Sequence, residues 1–306
     1  MISSKIKKLR EKFLKYDIDG YVVPKNDEYF GEYSSPDRLK FISNFDGSAG
    51  IAIILREKNY LFVDGRYTIQ ANSQSGKNFS IIEIHKKLPW KILKHRIKIG
   101  YNPYCFTSLN LTKYFKNYFS LIPIYTDLFR LNKSKRSFKR FYFIKDNISG
   151  EKSLSKINRV LKYLEKDKSD CLFVTAPENI AWLLNLRGGD NPYSPIPNCR
   201  LILKTNGEIY LFVKKSKVLN LFKKKNISKI KIIDENKICK YLYKLNCKKL
   251  IADRSSCCLA FEKILKSKIN ISLSNDPIYK MKAIKNNIEI KNVIKSHIFD
   301  GVAVIK

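Results

Sequence analysis

The sequence predicts an α/β protein built from two tandem, similar domains, each a mixed β-sheet flanked by helices, with one more helix after them. Three observations carry this expectation. An amphipathic helix leading into a short apolar strand occurs twice, and the string Tyr60-Leu61-Phe62-Val63 returns 150 residues on as Tyr210-Leu211-Phe212-Val213. Segments with helical and strand-like spacing also alternate through both halves, as they do where helices cover a sheet.

The first helix carries Ile6, Leu9, Phe13 and Leu14 and leads into Gly20-Tyr21-Val22-Val23; its counterpart carries Ile157, Val160, Leu161 and Leu164 and leads into Cys171-Leu172-Phe173-Val174. Next, Phe41-Ile42-Ser43-Asn44-Phe45 answers Trp182-Leu183-Leu184-Asn185-Leu186. Each is followed by a glycine-containing turn, Asp46-Gly47-Ser48 or Arg187-Gly188-Gly189-Asp190. Two hairpins follow. Ile51 to Leu55 turns at Glu57-Lys58-Asn59, and Leu201 to Leu203 turns at Thr205-Asn206-Gly207, where Asn-Gly supplies the positive φ that a tight hairpin requires. Lys98-Ile99-Gly100 and Leu250-Ile251-Ala252 read as short strands, each followed by helical spacing, the second through Leu259, Phe261, Ile264 and Leu265. This spacing sets the first domain at 1–147 and the second at 150–280, joined by a basic, loop-like stretch from Asn132 to Gly150.

Composition excludes several classes. With 44% hydrophobic and 12% aromatic residues among 306, the chain can bury a core in each domain and is not a disordered polyelectrolyte. No apolar run approaches the roughly 20 residues needed to span a bilayer, and the first residues read as an amphipathic helix rather than a leader, so no membrane partner and a cytoplasmic location are expected. Seven cysteines with no C-x-x-C pair fit reduced thiols better than a disulfide framework or a zinc site. The net charge of +33 would attract any polyanion weakly. Only 12 arginines stand beside 48 lysines, however, and the lysines are spread end to end. Nucleic-acid readers rely on arginine's bidentate fork, so a solvated basic surface without specific nucleic-acid binding is expected.

A duplicated scaffold separates architecture from candidates for function, because residues present in one half only are not required by the shared fold. After Tyr60-Leu61-Phe62-Val63 the first half continues with Asp64-Gly65-Arg66-Tyr67, and the second half has Lys214-Lys215-Ser216-Lys217 at that place. Glycine permits a tight strand end and the arginine projects from it, which makes Arg66 the first candidate for contact with a ligand. A structural ion pair between Asp64 and Arg66 is the alternative. The second candidate is the loop from Arg187 to Pro197, stiffened by three prolines. His85, His95 and His297 show no metal-ligand spacing, no G-x-S-x-G elbow is present, and Gly47-Ser48-Ala49-Gly50 lacks the ending of a phosphate loop. No catalytic or metal-binding residue is assigned.

Asn44-Phe45-Asp46-Gly47-Ser48-Ala49-Gly50, Asp64-Gly65-Arg66-Tyr67, Ile180-Ala181-Trp182-Leu183-Leu184-Asn185-Leu186-Arg187-Gly188 with Asp190, and Lys282-Ala283-Ile284-Lys285-Asn286 with Glu289-Ile290 resemble, in order and spacing, the Xaa-Pro aminopeptidase (aminopeptidase P) family. The resemblance covers essentially the whole chain, although the Trp and Pro residues expected near 129–140 are absent. It implies two creatinase N-terminal-like domains, I and II, followed by a pita-bread metallopeptidase domain. That third domain would hold two divalent metals, typically manganese, through two Asp, one His and two Glu, and would hydrolyse the bond between an N-terminal residue and a following proline. Those ligands would lie beyond Lys306, so no cofactor is expected in this chain and the chain alone is expected to be inactive. The implied partners are a catalytic domain in cis or in trans and, in a complete enzyme, a proline-containing peptide; a homo-oligomer is left open. The family arginine that touches substrate matches Arg66.

Residues 281–306 are expected to form the first helix of a truncated catalytic domain. Asn286 and Glu289 have capping-box spacing, and Ile290, Ile294, Ile298 and Val302 recur every four residues, with Val293 and Ile305 beside them. Two other readings remain: a non-catalytic binding or assembly module that docks through this helix, and a weak polyanion binder.

Overall fold

The structure is a computed structural model describing residues 1–31, 36–93, 96–129, 131, 139–191, 193–222 and 229–306. His95, Pro192 and residues 132–138 of the expected joining stretch lie outside the described residues. The chain divides into two compact units, Met1–Lys135 with Cys258–Glu262, and Arg136–Cys257 with Lys263–Lys306.

The first unit runs α1 (Ile2–Arg10), β1 (Gly20–Pro24), α2 (Arg38–Ser43), β2 (Gly50–Leu55), β3 (Asn59–Val63), α3 (Thr68–Ser75), β4 (Ser80–Glu83), β5 (Lys98–Tyr101), α4 (Ser108–Phe115) and β6 (Ser120–Pro123). Its six strands lie in the order β4-β3-β2-β1-β5-β6. The β1, β2 and β3 pairings are antiparallel, whereas β3 with β4, β1 with β5 and β5 with β6 are parallel. Side chains alternate strictly along the strands. Tyr21, Val23, Ala52, Ile54, Leu61 and Val63 join one apolar core with Ile6, Leu9 and Phe13, while Val22, Ile51, Ile53 and Phe62 face a second core with Ile99, Phe106 and Phe115. Both faces of the sheet are therefore covered, and its inner strands read as continuous apolar runs. Leu14 departs from the expected stripe: α1 stops at Arg10 and Leu14 is exposed.

The second unit repeats this plan. The chain continues through β7 (Tyr142–Phe143), α5 (Asp146–Ser149), α6 (Ser153–Asp167), β8 (Cys171–Val174), α7 (Pro177–Leu183), β9 (Leu186–Arg187), β10 (Arg200–Lys204), β11 (Ile209–Phe212), β12 (Ile230–Ile233), α8 (Ile238–Lys244), β13 (Lys249–Asp253), α9 (Leu259–Lys266), β14 (Asn270–Ser274), α10 (Pro277–Ala283) and α11 (Asn287–Ile305). Its sheet has the order β12-β11-β10-β8-β13-β14, with parallel and antiparallel pairings at the same places as in the first. The repeat extends to single backbone angles, since Asn44 and Asn185, which follow α2 and α7, both have positive φ, 67° and 52°. Asparagine tolerates this left-handed region better than most residues.

The joining stretch is not all loop. Tyr142 and Phe143 pair with Arg187 and Leu186, and α5 ends at Gly150, whose φ is +72°. A two-residue strand leaves no periodicity to read, so the sequence shows only a basic segment. Gly150 also makes room for Asn286, because a Cβ there would sit 2.3 Å from Asn286 Oδ1. Asn286 caps α11 by accepting from the Ile288 and Glu289 amides and donates through Nδ2 to the Ser149 carbonyl, while Glu289 Oε2 accepts from the Asn286 amide. Asn292 Nδ2 donates to the Ile148 carbonyl one turn further on. Beyond that point Ile294, Ile298, Phe299 and Val302 are exposed, and no residue of α11 is buried. Among the described residues no helix is long and apolar enough to cross a membrane.

A buried polar network in the second unit gives its stability a pH dependence. Asp276 is 1% exposed, accepts from Asn179 Nδ2 at 2.8 Å and from the Ile278 amide, and lies beside Asp253. Burial raises its carboxyl pKa to about 6 from 3.8. The folded state thus holds this proton more tightly than the unfolded chain. The stabilisation is complete below the unfolded value and is lost as pH rises through about 6. We predict that Asp276→Asn is stabilised relative to the native protein as pH rises from 4 to 7, by an amount on the order of 3 kcal/mol. Asparagine keeps the cap, and a flipped Asn179 can present its unpartnered Oδ1 to the new amide. Urea unfolding of both proteins across this range checks it; a constant difference between them would show that Asp276 does not titrate there.

Candidate functional site

Strand β3 delivers the chain to Asp64, whose side chain caps a 3-10 turn at Gly65–Tyr67 by accepting from the Arg66 amide at 3.0 Å. The same oxygen accepts from Arg66 Nε at 2.8 Å. The second carboxylate oxygen lies 3.4 Å from His85 Nε2. Both the structural pair foreseen as an alternative and an outward-facing arginine are present, because the Arg66 side chain remains 74% exposed. Asp64 fixes the guanidinium at Nε. Neither Nη group has a protein acceptor among the described residues, so both point into solvent as donors.

Hydrogen bonds from Arg66, first from its side chain and then from its amide, hold the Asp64 carboxyl down at about 2, with His85 adding to the effect. Asp64 is consequently ionised throughout the neutral range and Arg66 is held charged. An exposed pair of this kind contributes little to folding, so its value lies in orienting the guanidinium.

The turn is anchored by Tyr67. Its hydroxyl lies 2.8 Å from Ser48 Oγ, and its ring packs edge-on against Phe45 at 5.8 Å between centroids. Arg66 itself lies 5.6 Å from the Tyr67 ring centroid. The segment Asn44 to Gly50 is thereby docked onto Asp64 to Tyr67. Gly47 sits at the closest approach, where a Cβ would lie 2.3 Å from Phe45 Cζ and 3.0 Å from Tyr67 Cδ1. Asp46 continues the attachment to α3, accepting from Gln70 and Gln74 Nε2 at 2.7 Å each, and these bonds, that of Gln74 first, lower its pKa.

The second candidate, the loop from Arg187 to Pro197, serves the fold at its one acidic residue. Asp190 is buried, pairs with Lys217 and accepts from the Asn198 amide at 2.7 Å. Sequence reasoning missed the approach of His85 to Asp64. The two are 21 positions apart and meet because β3 and β4 run in parallel, a pairing that no local pattern announces. Among the described residues no three His, Cys, Asp or Glu side chains gather to hold a metal ion.

Comparison with known proteins adds to this geometry. Residues 5–124 and residues 132–289 each match a family model described as the creatinase/prolidase N-terminal domain. A probable Xaa-Pro aminopeptidase P of Laccaria bicolor is 30% identical over 99% of this chain and 50% of its own length. A Xaa-Pro aminopeptidase of Drosophila melanogaster is 32% identical over 94% of this chain and 50% of its own length. The chain spans about half the length of the curated relatives it matches. An X-prolyl aminopeptidase of Caenorhabditis elegans, described as a cytosolic enzyme with a di-nuclear active site, superimposes with a TM-score of 0.88 over 100% of this chain and 55% of that one. At 22% identity this likeness shows the fold.

The docking of the two segments yields a direct test. Gly47→Ala places a methyl group against the buried Phe45 ring and should destabilise the first unit by about 1–3 kcal/mol. Denaturant unfolding, followed beside Gly31→Ala where a Cβ meets nothing, measures it. Equal stability of the two variants would mean that the segments are not tightly packed.

Proposed function

The chain belongs to the creatinase/prolidase N-terminal domain family, and on that premise we propose that it is the non-catalytic N-terminal part of an aminopeptidase P-type protein, acting with a metallopeptidase domain supplied in cis or in trans. Two features support the reading: similarity to Xaa-Pro aminopeptidases along nearly the whole chain, and the span of about half their length. In it, residues 1–147 and 150–280 are creatinase-like domains I and II, and residues 281–306 open the catalytic domain. A cytoplasmic location belongs to the same proposal, in line with the cytosolic enzyme of Caenorhabditis elegans.

The carrying observation for a role in substrate binding is the state of Arg66: gripped at Nε by Asp64, exposed over most of its side chain, and with both Nη groups directed at solvent. Such a guanidinium is oriented before a ligand arrives, and it can donate to a peptide carbonyl or carboxylate without rearranging the fold. A pair of divalent metals, manganese among them, would activate water for attack on the carbonyl preceding proline. The described residues do not fit such a pair, because they supply no converging ligand set. In this proposal the metals therefore reside in the catalytic domain.

The test combines the chain with a catalytic domain and compares Arg66→Ala, Arg66→Lys and Asp64→Ala with the unaltered protein. Arg66→Ala should leave the thermal midpoint unchanged and lower turnover of a peptide with proline at its second position by roughly 10- to 100-fold. Lysine should rescue little, since an ammonium lacks the planar fork. The chain without a catalytic domain should show neither turnover nor stoichiometric manganese binding. Unchanged turnover per folded Arg66→Ala molecule would make the residue architectural and remove the substrate-contact assignment.

A further inference from the structure

We infer that a cavity in the second unit, bounded by α5, α6, α7, β9 and the first turns of α11, is a binding site for a small carboxylate anion, held by the free edge of Arg187. The cavity has a volume of about 250 Å³, and its lining includes Lys156, Trp182, Arg187, Lys285 and Glu289. This site stands independently of the reading of Arg66.

Lys156 and Arg187 line this cavity without a direct ion-pair partner among the described residues. Lys156 lies on the apolar face of α6 and is 1% exposed, yet it donates only to uncharged acceptors, the Trp182 carbonyl at 3.0 Å and Asn185 Oδ1 at 2.7 Å. Arg187 is half-buried, and its Nη1 donates to the carbonyls of Ala181 and Leu186 at 3.0 and 2.9 Å. Neither residue forms an ion pair among the described residues. Arg38 in the first unit shows how this chain otherwise treats a buried cation: with its side chain 6% exposed, it is paired to both Glu28 at 2.5 Å and Asp127 at 3.0 Å. A buried charge without such partners is costly, and an anion entering the cavity would relieve that cost.

The acidic groups nearby do not supply the missing partner. Glu151 is engaged by Arg159 at 2.5 Å, and Glu289 Oε2 accepts from the Asn286 amide in the cap of α11. The lining itself carries three cations, Lys156, Arg187 and Lys285, against the single carboxylate of Glu289. Burial lowers the amine of Lys156 to about 8; Glu151 and Glu289 oppose this from beyond ion-pair distance, and Arg187 and Arg159 add smaller contributions in the same direction as burial.

With Nη1 occupied, Arg187 retains Nε and Nη2, the two parallel N–H groups of the guanidinium edge that match the oxygens of a planar carboxylate. Trp182 also lines the cavity, and its Nε1 is buried with no acceptor. An unused fork and an orphaned indole N–H beside a net positive cavity specify an acceptor with negative charge. Planarity and the presence of Glu289 favour a singly charged carboxylate over phosphate.

Calorimetric titration of the full chain with acetate at constant ionic strength, with chloride and inorganic phosphate as comparisons, tests the assignment. Saturable binding of one acetate is expected, at least about tenfold weaker in Arg187→Gln and weakened in Trp182→Phe. Bound acetate should also raise the titration midpoint of the Lys156 amine, read by NMR of the isotope-labelled lysine side chain. That readout decides the matter should Arg187→Gln fail to fold. The assignment is overturned by absence of saturable binding, by equal affinity in folded Arg187→Gln, by phosphate binding more tightly than acetate, or by a Lys156 titration midpoint that ignores acetate.

Discussion

In each unit the middle strand of the sheet is apolar on both faces, and the remaining architecture follows from covering it. Tyr21, Val22 and Val23 in β1, and Leu172, Phe173 and Val174 in β8, are buried whichever way they point. A strand of that kind cannot face water on either side, so the connections between strands must carry helices over both faces of the sheet. The antiparallel hairpin β2-β3 adds strands on one side of β1, while β5 and β6 extend the other side in parallel. Burial of the hairpin fixes where β3 ends. The residues immediately after Val63 are the first on that strand free to turn outward, and Arg66 stands there.

The two units solve one packing problem with different chemistry at that place. Both have a 3-10 turn after the Tyr-Leu-Phe-Val string, Gly65–Tyr67 in one and Lys215–Lys217 in the other. Both hold the turn against the glycine-containing segment that follows α2 or α7. In the first unit the anchor is Tyr67, bonded to Ser48 and packed on Phe45; in the second it is Lys217, buried against Asp190. Tyr67 and Lys217 occupy equivalent positions, so the last residue of the turn belongs to the shared scaffold. The residue before it is not so constrained. Ser216 carries no charge, whereas Arg66 is charged, oriented by Asp64 and exposed. The scaffold alone gives no reason for a guanidinium at that position.

Much of this was legible because a duplication makes two halves of one sequence check each other. The helix-strand alternation, both hairpins and the capping of α11 by Asn286 and Glu289 are written in local spacing, and they occur as read. What escaped lacks a local signature. The β7-β9 pair is two residues long, and His85 meets Asp64 only through a parallel pairing. Leu14 looks like one more apolar position on α1, but the helix has already ended at Arg10. Lys156 did leave a trace, since it sits with Ile157, Val160 and Leu164 on the buried face of α6. A lysine on an apolar stripe signals either a side chain reaching past the core to water or a charge kept inside for a reason.

For Lys156 the first of these explanations fails, and the reason connects α6 to α11. A lysine that snorkels ends in water, but this amine ends on the Trp182 carbonyl and Asn185 Oδ1, 4.4 Å from the centre of the Trp182 ring. Asn185 is held in its left-handed conformation while its amide donates to Ser149 Oγ and the Glu151 carbonyl at the end of α5. Ser149 in turn accepts, through its carbonyl, the Asn286 side chain that caps α11. The buried amine therefore lies at one end of a continuous polar chain that fixes the start of α11. An isolated helix of this length is marginal in water. Here its first turns are set by hydrogen bonds to α5 rather than by burial of its apolar face. The same contacts place Glu289 in the lining of the cavity, so the placement of α11 and the electrostatics around Lys156 have a common structural origin.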